Sequence, residues 1–136
     1  MMYGQSGPDA MGSDELSNNQ SVDDQLAELQ KEYIANLSER VQPVVVLWQK
    51  YIASNYAADV LSDVYRGVHA IAGTSSILNI SPIDTLSNRA QIQIQSVMQA
   101  EEFDAAAVEG IGVIINEMIR VASSGEVNAP PINLNG

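Results

Sequence analysis

The chain has 136 residues, no cysteine, and 17 acidic against 6 basic residues for a net charge of −11. That length buries a core as one domain without metal or disulfide; the missing thiols exclude a disulfide scaffold and thiolate metal sites and suit a reducing cytoplasm. The acidity argues against nucleic acid and anionic membrane as partners, no apolar run approaches the ~20 residues of a membrane span, and the first residues lack the basic-then-apolar order of a signal peptide.

Residues 1–20 are rich in Gly, Ser, Asn and Asp and show no apolar periodicity, so they predict a disordered arm. Ser21-Val22-Asp23-Asp24 starts a helix, with serine as N-cap and an acid three residues on. Leu26, Leu29, Tyr33, Leu37, Val41, Val44, Trp48 and Tyr51 then keep a three/four spacing up to Asn55. Pro43 removes one helical hydrogen bond and crowds the carbonyl of Glu39. Because the stripe holds its phase across the proline, the expectation is one long helix kinked near Glu39. Tyr33, Trp48 and Tyr51 fall on its buried face, where packing outranks ligand stacking.

A second helix is expected from Ala57 to Leu78, with Leu61, Val64, Val68, Ile71, Ser75 and Leu78 facing the core and Asn79 as a left-handed terminator. Ser81-Pro82-Ile83-Asp84 reads as N-cap, proline at the first position and an acid in the first turn of a third helix, whose stripe is Ile83, Leu86, Ala90, Ile94 and Val97. A fourth spans Phe103 to Ala122, with Phe103, Ala106, Gly110, Ile114, Glu117 or Met118, and Val121 inward. Gly125 and Pro130-Pro131 close it, leaving residues 125–136 as an extended tail. Long amphipathic segments joined by short connections predict an all-α, up-and-down antiparallel four-helix bundle over residues 21–124.

The only histidine, His69, lies in the second helix. At about 100° per residue it falls roughly 130° from the centre of the apolar stripe, in a file with Ser62, Arg66, Gly73 and Ser76. It is therefore expected to face outward. Glycine inside a helix costs about 0.5–1 kcal/mol relative to alanine, and Gly73, one turn after His69, would leave bare space beside the imidazole. His69 lies eleven residues before Ile80 and Gln91 eleven after it. Antiparallel packing puts the two on one level, where the Gln91 amide reaches the ring or a phosphate on it.

The run His69-Ala70-Ile71-Ala72-Gly73-Thr74-Ser75, with Asn79 and Leu86 following, resembles the H-x-L-K-G-[ST]-[SA] signature of histidine-containing phosphotransfer (HPt) domains. In pattern the resemblance covers Leu26 to Val121, and its specific part is this helix and the start of the next. It implies that His69 Nε2 accepts a phosphoryl group from the aspartate of a response-regulator receiver domain, or from a hybrid histidine kinase, and passes it to another receiver. Mg²⁺ and most of the catalytic apparatus would belong to the receiver, so the chain would need no cofactor of its own. The family commonly has lysine where Ala72 stands, beside the phosphate, and Arg66 is the cation nearest in sequence to take that role. Ser62, Tyr65, Gly73 and Ser76 would rim the docking surface.

No phosphate-binding G-x-x-x-x-G-K-[ST] loop and no kinase signature occurs, so a phosphocarrier is expected rather than a kinase. A lone histidine without clustered carboxylates gives no metal site. The expectation is a cytoplasmic monomer, since the His69 face must stay free. The missing lysine leaves an alternative in view: an adaptor that binds receivers through the same face without phosphorylation.

Overall fold

A computed structural model describes residues 6–132, with side chains from Ser21 onward. Its helices are α1 (Ser6–Ala35), α2 (Leu37–Ala53), α3 (Ala58–Ile77), α4 (Ile83–Gln99) and α5 (Ala105–Ser124). Among the described residues there is no strand, only a two-residue bridge between Ser81 and Asn128. The all-helical expectation holds.

The expected single kinked helix is two. The break falls at Asn36, three residues before Glu39, and Pro43 sits inside α2. Asn36 has φ −106° and ψ 12°, which turns the chain while its N–H still reaches the carbonyls of Glu32 at 3.1 Å and Tyr33 at 3.2 Å. Tyr33, Leu37, Val41, Val44, Trp48 and Tyr51 are buried as the stripe requires, but Leu29 is exposed and Gln30 is buried in its stead. Residues 6–20 continue α1, where composition predicts a disordered arm; residues 1–5 of that arm lie outside the described residues. A helix already nucleated extends at small cost per residue.

α3 ends in a Schellman motif. Asn79 takes the left-handed conformation (φ 58°), its N–H bonds to Ser76 O at 3.2 Å, and the next N–H, of Ile80, bonds to Ser75 O at 2.9 Å. Ile80 is fully buried beneath this turn. Ser81 is not the N-cap of α4: its N–H and C=O exchange bonds with Asn128 (2.8 and 2.7 Å), and Pro82 stands at the helix entrance. Ser75 and Ser87, buried on the facing stripes of α3 and α4, each donate to the carbonyl four residues back at 2.6 Å, so both hydroxyls are satisfied without leaving the core.

α5 departs from the expected phase. The Asp104 side chain accepts from the N–H groups of Ala106 and Ala107, so the helix starts at Ala105 and leaves Phe103 outside it. Phe103 is 56% exposed and its ring packs on Tyr56 at 4.5 Å. Ala106 is exposed, and the inward stripe is Val108, Ile111, Ile114, Ile115, Met118 and Val121. α3 packs on α4, α4 on α5, and α2 on both α3 and α5 around one apolar core. The tail from Gly125 (φ 75°) runs back over the α3–α4 turn and lays Val127, Ala129 and Ile132 against that core.

Candidate functional site

α3 carries its buried stripe as expected: Leu61, Val64, Val68, Ile71, Ser75 and the following Leu78 are all buried. The opposite side of the helix is open. His69, Arg66, Gly73 and Ser76 are exposed, and Ser62 is half-buried. A Cβ built on Gly73 meets nothing within 4 Å, so one turn beyond the imidazole the helix surface is open among the described residues.

α4 supplies the second half of the site. His69 Nδ1 lies 2.7 Å from Gln91 Oε1, across the 22 residues that separate them in sequence. Near the α3–α4 turn, Asn88 Nδ2 donates to Ser76 Oγ at 3.1 Å and to the backbone carbonyl of Asp84 at 2.8 Å, and Gln91 Nε2 donates to Asn88 Oδ1 at 3.4 Å. Tyr65, one turn before the histidine, lies nearly parallel to it, with ring centroids 5.8 Å apart and planes at 15°. The ring is thus held edge-on by an amide and face-on by a phenol, and its Nε2 edge has no partner among the hydrogen bonds of the described residues.

Two expected neighbours stand elsewhere. Ala72 is buried, 3% exposed. On the helical wheel it falls between the apolar stripe and the His69 file, and its burial takes it out of the open face. Arg66 reaches back along α3 to an ion pair with Asp63, away from His69. That pair is solvent-exposed, with side chains 71% and 41% accessible, and contributes at most about 1 kcal/mol. Ser62 lies two turns before the histidine and lines a separate cleft of about 320 Å³ with Tyr51, Tyr56 and Phe103.

The sequence reading passed over two residues. Asn88 precedes Gln91 by three positions, so both project from one face of α4 toward α3; the paired amides at that spacing were the available signal. Ile77 is 73% exposed one turn beyond Gly73. An isoleucine out of phase with the α3 stripe marks it in the sequence.

Concavities of about 320, 400 and 250 Å³ lie on other parts of the surface, and His69 lines none of them. The imidazole stands on an open face, a shape that suits a macromolecular partner better than a small substrate. Among the described residues no cluster of His, Asp and Glu can hold a metal ion, and no helix is long and apolar enough to cross a membrane. Comparison with known proteins finds no matching family model, no matching curated protein and no matching solved structure.

Proposed function

We propose that the chain is a histidine phosphotransfer protein, with α2 to α5 as an up-and-down four-helix bundle and His69 as phosphoacceptor. The observation that carries this reading is the state of the ring. Nδ1 is engaged by Gln91 at 2.7 Å, while the exposed ring has no hydrogen-bond partner at Nε2 among the described residues and a side chain built on Gly73, one turn on, meets open space. An imidazole with its proton on Nδ1 attacks through the Nε2 lone pair. The P–O bond of a receiver's aspartyl phosphate breaks, the P–Nε2 bond forms, the aspartate leaves as carboxylate, and the proton stays on Nδ1. The ring gains positive charge in that step, and the bond from Nδ1–H to the Gln91 carbonyl strengthens with it. Return transfer reverses each movement.

Gly73 and Ile77 give the docking domain a place to press, and the open ring edge lets its aspartate come into line. Mg²⁺ and the electrostatic work on the phosphoryl oxygens belong to the receiver. Arg66 is on the same face, and a phosphoryl dianion is a stronger partner for its guanidinium than the exposed Asp63 carboxylate. The protein acts as a cytoplasmic monomer in this reading.

Incubation with a phosphorylated receiver and Mg²⁺ tests the proposal. Label that is acid-labile and alkali-stable is expected on the chain and is lost in His69→Gln; label that persists in that variant overturns the assignment.

A specific observation favours a second reading. Ala72 stands where the family has lysine, and Arg66, the cation nearest in sequence, is paired with Asp63. The face would then bind a receiver without exchanging phosphate. Binding that is indifferent to His69→Ala and abolished by Gly73→Arg, with no label transferred, selects this adaptor.

A further inference from the structure

In water a neutral imidazole keeps its proton mainly on the distal nitrogen, the equivalent of Nε2. That is the wrong tautomer for attack from Nε2. A glutamine beside Nδ1 does not correct this alone, because its amide presents either an acceptor or a donor depending on which way it is turned. If the Nε2H₂ of Gln91 faced the ring, it would donate to Nδ1 and stabilise the unreactive form. What decides the tautomer is therefore whatever fixes the orientation of Gln91.

Asn88 is placed to do so. The carbonyl of Asp84 can only accept, so the Asn88 group 2.8 Å from it must be the amide nitrogen. The same nitrogen reaches Ser76 Oγ at 3.1 Å. With both amide hydrogens of Asn88 directed there, its Oδ1 is turned toward Gln91 and accepts from Gln91 Nε2 at 3.4 Å. Gln91 Oε1 is then the atom left for the ring, at 2.7 Å from His69 Nδ1. Each link fixes the polarity of the next, from a backbone carbonyl that cannot flip to the ring that reacts.

We infer that Asn88 is a positioning residue: through Gln91 it holds the proton of His69 on Nδ1 and keeps Nε2 unprotonated. It makes no hydrogen bond to His69 itself and acts through Gln91. The inference deepens the phosphotransfer reading, and only the labelling arm of its test rests on that reading.

The test uses the full chain labelled with ¹⁵N, where the single histidine makes the ring signals unambiguous. Long-range ¹H–¹⁵N correlation at alkaline pH, with the ring neutral, reports which nitrogen carries the proton. The Nδ1–H form is expected to dominate in the native chain and to give way to the Nε2–H form in Asn88→Ala. Asn88→Asp keeps an oxygen for Gln91 Nε2 and is expected to retain Nδ1–H, although it has lost its bond to Asp84. Adding Gln91→Glu to Asn88→Ala offers the ring an acceptor in either orientation and is expected to restore Nδ1–H.

In parallel, phosphoramidate serves as a small donor that needs no docking: its P–N bond breaks, ammonia leaves, and the phosphoryl group bonds to Nε2. Labelling is expected to fall severalfold in Asn88→Ala and recover in the double variant. A native ring already protonated on Nε2, or a tautomer unmoved by Asn88→Ala, overturns the inference. Should Asn88→Ala lose its native amide spectrum, the native tautomer together with Asn88→Asp decides the matter. A tautomer that behaves as stated with no label on any variant leaves the inference standing and counts against the phosphotransfer reading instead.

Discussion

Gly67 and Gly73 lie in the same helix, six residues apart, and replacing each by alanine should move stability in opposite directions. At Gly73 the new methyl meets nothing within 4 Å, so Gly73→Ala gains the helix-propensity difference and raises stability by about 0.5–1 kcal/mol. At Gly67 it would stand 2.9 Å from Val44 Cγ2, where α2 crosses α3. Overpacking of that kind costs about 1–3 kcal/mol, which outweighs the propensity gain, so Gly67→Ala lowers stability. Urea denaturation of the two variants reads both signs. A larger side chain at the open position separates fold from function: Gly73→Arg is expected to fold normally by circular dichroism and to lower transfer from a receiver at least tenfold, because the side chain fills the space beside His69. Unchanged transfer in that variant would remove the glycine from the docking surface.

At the scale of elements, legibility followed how local the controlling physics is. The α3 stripe, the outward histidine, the left-handed Asn79 and the level shared by His69 and Gln91 depend on helical period and one short turn, and the sequence carries both. The start of α5 departs from its periodic pattern because Phe103 has the character of a first core residue, whereas Asp104 caps the helix and leaves the ring to Tyr56. Ser81 looks like an N-cap, but a tail some 47 residues away in sequence takes its backbone groups. Ala72 was expected beside the phosphate from the family pattern, and its burial depends on packing that spacing does not show; the Asp63–Arg66 pair, three residues apart on one helix, was legible in the sequence and competes for the cation expected to serve His69. The same distinction bears on Pro43. It lies inside α2 with the break elsewhere, at Asn36, so Pro43→Ala should restore the hydrogen bond to Glu39 without joining α1 to α2. The expected gain is about 1–2 kcal/mol: the interior proline penalty of about 3 kcal/mol, less local relaxation and the entropy that alanine returns to the unfolded chain. A loss of stability in urea would mean the proline ring packs where an exposed position is described.

For the whole molecule, one buried side chain ties three distant segments together near the site. Gln30 of α1 is 6% exposed, and its amide nitrogen donates to Leu78 O at 2.8 Å and to Pro130 O at 2.9 Å. Leu78 ends α3, and Pro130 belongs to the tail that also pairs Asn128 with Ser81. α1 also sends Tyr33 into the core, and this amide is its hydrogen-bonded tie to the α3–α4 turn. Gln30→Leu removes both donors and leaves the buried Leu78 carbonyl without this partner, a loss of about 1–3 kcal/mol. Gln30→Glu should cost more, since an ionised carboxylate has no proton to offer and faces two carbonyl oxygens. Truncation after Gly125 removes the Pro130 acceptor and with it part of what Gln30 contributes. The double variant, Gln30→Leu in the truncated chain, should therefore be less destabilised than the sum of the two changes. Strict additivity in denaturant melts would show that the glutamine and the tail act independently and that the latch is no latch. Because the turn it fastens also sets the register between α3 and α4, the truncated chain is further expected to weaken the bond between His69 and Gln91, seen as a larger Nε2–H fraction in the ring's ¹⁵N spectrum.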